Sequence, residues 1–176
     1  MKKILLSLVA LLTFAGCSIG KDMTNTPTKK VEEYLNSYQA LDDNVLNDLD
    51  SLMLDAEYTI AQQTKYKELM KKHYQNLKYE IKEETVNGDK ASVVAEIEVV
   101  DYSKIISEGV DESLYLDDEG NYDETLYRDH QLGRMENANE TVKYTITFYL
   151  TKIDDEWALD AISEDTKEKI HGIYVY

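Results

Sequence analysis

The sequence predicts an α+β domain in which N-terminal helices pack on a curved antiparallel sheet and a short helix closes the chain. Three observations carry that expectation. Apolar residues recur every three or four positions from Val31 to Leu77. The period then drops to two, most clearly in Val142-Lys143-Tyr144-Thr145-Ile146-Thr147-Phe148. Between two alternating runs sits Asn87-Gly88, a strong hairpin signal. Helices first and hairpins afterwards place the helices on one face of an antiparallel sheet.

Thr26 is a suitable N-cap for a first helix, with Pro27 at the position where its missing N–H costs nothing. Val31, Leu35, Tyr38 and Leu41 follow at helical spacing. Asp42-Asp43 breaks that helix and opens a second, whose apolar face comprises Val45, Leu46, Leu49, Leu52 and Met53. Residues 54–63 carry no clear period, and a third helix is expected from near Thr64, with Tyr66, Leu69, Met70, His73, Tyr74 and Leu77 on its inner side. The first hairpin joins Leu77, Tyr79 and Ile81 to Val93, Ala95, Ile97 and Val99. The segment 103–140 is acidic and rich in turn formers, with a helix expected at 103–109, a loop at 117–123 and the character of an insertion. A long strand from Val142 turns at Asp154-Asp155 into a shorter one, 157–162. Ser163 then caps the final helix, and Gly172 stops it.

The 176 residues carry 35 acidic against 19 basic side chains, a net charge of −16. With no basic stripe to neutralise phosphates, no nucleic acid partner is expected. A hydrophobic content of 43% suits a packed core and argues against wholesale disorder. The chain has one cysteine, so no internal disulfide supports the fold and packing must do so alone.

Met1-Lys2-Lys3 precedes an apolar run from Ile4 to Ala15. Twelve helical residues would span about 18 Å, short of a hydrocarbon core of about 30 Å. Two lysines, a short apolar run and small residues before a processing point are instead the layout of an export signal. Phe14-Ala15-Gly16-Cys17 resembles a bacterial lipobox, with Phe14 where leucine is usual. The resemblance implies that residues 1–16 are a signal peptide and that Cys17 becomes the lipid-bonded first residue of the mature chain. Residues 17–27 then form a lipidated tether and residues 28–176 a single domain at the outer face of the cytoplasmic membrane. Two acyl chains anchor stably where one does not, which is the physical sense of the modification. Without Lys2 and Lys3 the mature chain carries −18, a charge that keeps the domain off an anionic bilayer.

"LKYEIKEETVNGDKASVVAEIEVVDY" and "YTITFYLTKIDDEWALDAIS", placed after a lipobox tether and N-terminal helices, resemble small lipoproteins of Gram-positive bacteria with a cystatin-like or nuclear-transport-factor-like domain. The resemblance covers roughly residues 28–172. It implies helices seated on a curved sheet in a cone, and almost no chemistry. Some relatives of that fold are isomerases or dehydratases with an Asp or His inside the cone.

The predicted inner strand faces hold no acid, and Asp160 in the last strand is the one carboxylate that alternation leaves unassigned. His73 is either a packed boundary histidine or a general base, while His130 and His171 have no partner at a telling spacing. No nucleophile elbow, phosphate loop, HExxH or CxxC is present. The loop "LDDEGNYDE" fails the EF-hand pattern. Asp117, Asp118 and Asp123 either gather a calcium ion in an irregular loop or form a solvated acidic surface. Otherwise no cofactor is expected.

Fourteen tyrosines against two phenylalanines leave two readings open. Tyrosine replaces phenylalanine in the core, or Tyr34, Tyr38, Tyr144 and Trp157 contact a small-molecule or protein ligand. The leading functional expectation is a non-enzymatic, membrane-anchored protein that displays a binding domain. The alternatives are a small cone-type enzyme, or an acidic structural or inhibitory envelope protein. Replacing the acylated atom tests the anchor. Cys17→Ala should leave the chain unprocessed or release it from membranes, read by fractionation and N-terminal mass, and an unmodified Cys17 in wild-type membranes would contradict lipidation.

Overall fold

The computed structural model describes residues 25–54 and 58–176. The expected signal peptide, Cys17, the expected tether up to residue 24 and the side chains of Met53 and Leu54 lie outside the described residues. The elements run α1 (Pro27–Ala40), α2 (Asp43–Leu54), α3 (Ile60–Gln75), β1 (Lys78–Asn87), β2 (Lys90–Val100), α4 (Ser103–Ser107), a 3-10 turn (Glu112–Leu114), α5 (Glu124–Asn137), β3 (Thr141–Ile153), β4 (Glu156–Leu159) and α6 (Glu164–His171). The class is α+β, with a four-stranded antiparallel sheet in the order β1-β2-β3-β4.

The alternation seen in the sequence determines which face is covered. In β2, Ala91, Val93, Ala95, Ile97 and Val99 are buried, and in β3 so are Tyr144, Ile146, Phe148 and Leu150. These sets oppose one another directly, with Val93 across from Phe148, Ala95 from Ile146 and Ile97 from Tyr144. The other face is polar and wet. There Lys143 pairs with Glu96, and Lys78 with Glu98, both at 3.0 Å. The edge strand β1 has a bulge at Lys82 and a charged sequence, features that discourage edge-to-edge association.

α1 lies on the buried face, with Val31, Leu35 and Tyr38 turned inward. Its first turn is capped: Pro27 has no N–H, Thr28 N donates to Glu84 (2.9 Å), Lys29 N donates to the Thr26 hydroxyl (3.2 Å), and Lys30 N to Thr26 O (3.1 Å) starts the intrahelical bonds. Just upstream, Asn25 donates to Asp155 O (2.8 Å) and accepts from Trp157 N (3.0 Å), so it behaves as one more rung beside β4.

Three local expectations shift. The first hairpin turns at Gly88-Asp89 rather than Asn87-Gly88, because Asn87 pairs with Lys90 and the positive φ (61°) falls on Gly88. α3 starts at Ile60, four residues before Thr64, because Thr59 and Gln62 form a reciprocal capping box. β4 ends at Leu159, after which Asp160 N makes one further bond to Tyr149 O (2.9 Å) and the chain leaves for the Ser163 cap.

The segment 103–140 holds a helix that its sparse apolar spacing does not announce. α5 has a sparse inner stripe of Gln131, Leu132 and Met135, interrupted by Gly133. A polar clamp holds it to α3: buried Gln62 donates to Thr125 O (3.0 Å) and to Asp129 Oδ1 (2.8 Å) while accepting from Thr59 N (3.0 Å).

The end of α6 is the tightest junction. Gly172 has φ +71°, its carbonyl accepts from Tyr102 N (2.7 Å), and a Cβ there would stand 2.1 Å from Val100 O and 2.9 Å from His73 Cε1. Gly172→Ala should therefore cost more than about 2 kcal/mol. Gly133→Ala, with open space around the new methyl, should instead stabilise by about 0.5–1 kcal/mol. Urea unfolding of both variants checks the pair, and a neutral Gly172→Ala would contradict this packing.

Candidate functional site

The largest cavity described, about 550 Å3, lies within the helical layer. α1 supplies Tyr38, α2 supplies Val45, Asp48, Leu49 and Leu52, and α3 supplies Tyr66 and Tyr74. Tyr58 lies just before α3, Ile106 comes from α4, and Glu164, Lys167, Glu168 and His171 come from α6. The strands supply none of its walls. It is thus displaced from the space between helices and sheet, where Phe148, Ile146 and Leu150 are packed to near-zero exposure.

Aromatic rings build the cavity floor. Tyr38 and Tyr74 meet edge to face at 5.1 Å, and Tyr74 lies 5.6 Å from the His171 ring. Tyr58 and Tyr66 stack at 6.0 Å, and the Arg128 guanidinium sits 5.2 Å from the Tyr58 ring centre, pinning that wall from behind. Burial raises the Tyr38, Tyr66 and Tyr74 hydroxyls above their usual range, Tyr66 to about 12. All three are therefore neutral phenols at physiological pH.

The helical spacing of Tyr38 and Tyr74 was visible in the sequence, but their convergence with His171 was not. Of the candidate ligand residues, Tyr34 and Tyr38 come together, with hydroxyls 3.2 Å apart and rings at 5.5 Å. Only Tyr38 reaches the cavity. Tyr144 lies elsewhere, against Tyr174 and Tyr176 at 6.0 and 6.2 Å, and Trp157 is buried beside Asn25. The four candidates do not form one site.

Asp117 and Asp123 are engaged with their own backbone. Asp117 accepts from Asn121 N (2.8 Å) and then Glu119 N (3.0 Å), which holds its carboxyl below its usual range. Asp123 caps α5 through Thr125 N (2.8 Å) and Leu126 N (3.2 Å), and Asp118 is exposed. Among the described residues no group of three or more His, Cys, Asp or Glu is arranged to hold a metal. Asp160 faces outward and accepts from the Thr151 hydroxyl at 2.6 Å.

All three histidines occupy positions that sequence spacing does not reveal. His130 meets the Tyr115 hydroxyl at 2.7 Å in an exposed cleft of about 210 Å3 that also holds the Arg134–Glu108 ion pair. His73 is buried between α3 and α6, where Nε2 donates to Ile170 O (2.8 Å) and Nδ1 has no partner. Burial pushes its pKa down to about 4. His171 falls to about 4 as well, through burial first and then through His73 and Lys167, with Glu164 opposing. Both are neutral imidazoles at pH 7, displaced well below the range in which a general base works best.

Comparison with protein-family models, with curated proteins and with solved structures finds no match.

The histidines make stability depend on pH. A group held at about 4 when folded and at 6.5 when unfolded binds more protons in the unfolded chain between those values. Stability is then complete above about pH 6.5 and is lost as pH falls towards 4. From pH 6.5 to 5, His73 alone should account for about 2 kcal/mol. Urea midpoints measured across that range should fall, and less steeply in His73→Gln; a flat wild-type profile would contradict the buried neutral imidazole.

Proposed function

We propose that this protein is a lipid-anchored, extracytoplasmic binding protein that holds a small organic ligand in the cavity between α2 and α6, without catalysing a reaction on it. The observation that carries this reading is the cavity itself. About 550 Å3 lies within the range of small-molecule sites, and an apolar, aromatic lining with a few convergent polar groups is their usual construction. Against catalysis stands the state of its titratable groups. His171 makes no hydrogen bond to a nucleophile or orienting carboxylate among the described residues, and the tyrosines are held neutral.

The anchor at Cys17 fits this placement. Eight residues from Cys17 to Asn25 reach roughly 28 Å at full extension, and Asn25 is fastened beside β4 at the N-terminal end of α1. Tyr38 lies eleven residues beyond Pro27, about 17 Å along the helix axis. A tether at one end of α1 and a cavity at the other would present the mouth away from the bilayer. No helix among the described residues is long and apolar enough to cross a membrane.

Obstruction of the mouth tests the reading. Leu52 is half-exposed on the cavity rim, so Leu52→Trp should fill the entrance while leaving the core intact. In a small-molecule screen followed by the ring resonances of Tyr38 and Tyr74, wild type should show saturable shifts that Leu52→Trp reduces at least tenfold in affinity. Turnover of a bound compound that disappears in His171→Gln would overturn the non-catalytic reading.

A further inference from the structure

We propose that the cavity selects an organic amine in its ammonium form, with the positive charge held between the tyrosine floor and the carboxylates of Asp48 and Glu168. This inference rests on the binding reading above and names its ligand class. The first argument is the polarity of the groups that lack partners. The Tyr66 and Tyr74 hydroxyls and the His171 ring make no hydrogen bond among the described residues, although each belongs to a buried or half-buried side chain. A neutral imidazole offers a lone pair, and each phenol oxygen offers two. None of these atoms is sealed from solvent, and all three residues line the cavity, so an N–H-bearing cation there would take the place of water on their lone pairs.

Charge gives the second argument. The rim carries Asp48, Glu164 and Glu168 against a single ammonium, Lys167, and Lys167 is already paired with Glu164 at 2.8 Å. Asp48 and Glu168 form no ion pair or side-chain hydrogen bond among the described residues, which leaves the mouth two negative charges in excess. The Asp48 carboxylate is close enough to help raise both Tyr38 and Tyr74. A positive ligand would relieve this repulsion, and an anionic one would add to it.

The rings are the third. Aromatic faces carry negative potential and attract cations by about 0.5–2 kcal/mol, more when desolvated. The fold already uses that attraction behind the cavity, where Arg128 covers Tyr58, and beside it, where Lys169 Nζ lies 4.5 Å from the Tyr174 ring centre. Two unpaired carboxylates on different helices, above an apolar floor, suit an alkyl chain with an ammonium at each end.

The test compares 1,5-diaminopentane with its neutral counterpart 1,5-pentanediol on the full-length chain, followed by tyrosine ring resonances and repeated at rising salt. The diamine should saturate shifts at Tyr38, Tyr66 and Tyr74 at least tenfold more tightly than the diol. Its affinity should fall with ionic strength, because the rim carboxylates are partly solvated. Asp48→Asn with Glu168→Gln should abolish most of that preference while leaving the thermal midpoint within a few degrees. Equal binding of diol and diamine, or a preference that survives the double variant, would overturn the ammonium class while leaving a binding cavity. Diamine shifts spread over surface carboxylates, without saturation at the three tyrosines, would overturn it as well. If in addition no neutral compound perturbs those tyrosines, the binding reading falls too.

Discussion

The paired alternation of β2 and β3 is the constraint on which the rest of the molecule depends. Eleven consecutive residues of β2 oppose β3 without a break in register, and every second one is apolar. A slip of one position would send Phe148, Ile146 and Val93 into water and bring Thr147, Thr145 and Glu96 inside. Burying a side chain of the Phe or Ile class contributes about 1.5–3 kcal/mol, so the cumulative penalty excludes other registers. One sheet face must then be covered; α1 and α6 lie on it directly, and α3 packs against both. β1, on the edge, is free to be charged and bulged because β2 and β3 already define the face.

The cavity follows from how that cover is divided. α1 lies directly on the sheet and α3 packs against α1, while α2 joins the layer through α3. α6 has only eight residues, and it is fastened at its C-terminal end, where Gly172 admits Val100 and His73 to a distance no side chain would permit. A short helix pinned at one end and a second helix held mainly by its neighbour cannot close on each other completely. Tyrosines line the gap that results. Their rings provide apolar contact and their hydroxyls tolerate water, which phenylalanine would not do as well at such a boundary.

Electrostatics separates the site's two layers. In the cavity wall His171, and beside it His73, are neutral because burial costs an imidazolium more than their surroundings return. Above them, Asp48, Glu164 and Glu168 remain in contact with solvent. The excess of negative charge in the whole chain reinforces the local field at the mouth and favours cations by steering as well as by contact. Acidic composition, read alone, argues only against polyanion partners. Joined to a particular cavity it has a direction.

The order of residues alone was enough to determine most of the architecture. Helical period gives way to alternation at Leu77, Thr26-Pro27 opens α1, and Ser163 and Gly172 bound α6, because caps and amphipathic faces are local properties carried by nearby residues. It was not enough for α5, whose apolar stripe is sparse and whose position depends on Gln62, more than sixty residues away in the chain. Nor was it enough for the site. Tyr38 and Tyr74 read as core positions, Tyr58 fell in a stretch without period, and His171 had no partner at any telling spacing. Tyr144 and Trp157 read as equally good ligand residues, yet they belong to other parts of the molecule. Only the tertiary structure decides which aromatic residues share a cavity, because that convergence arises from helices far apart in sequence packing over one sheet face, and no local pattern encodes it.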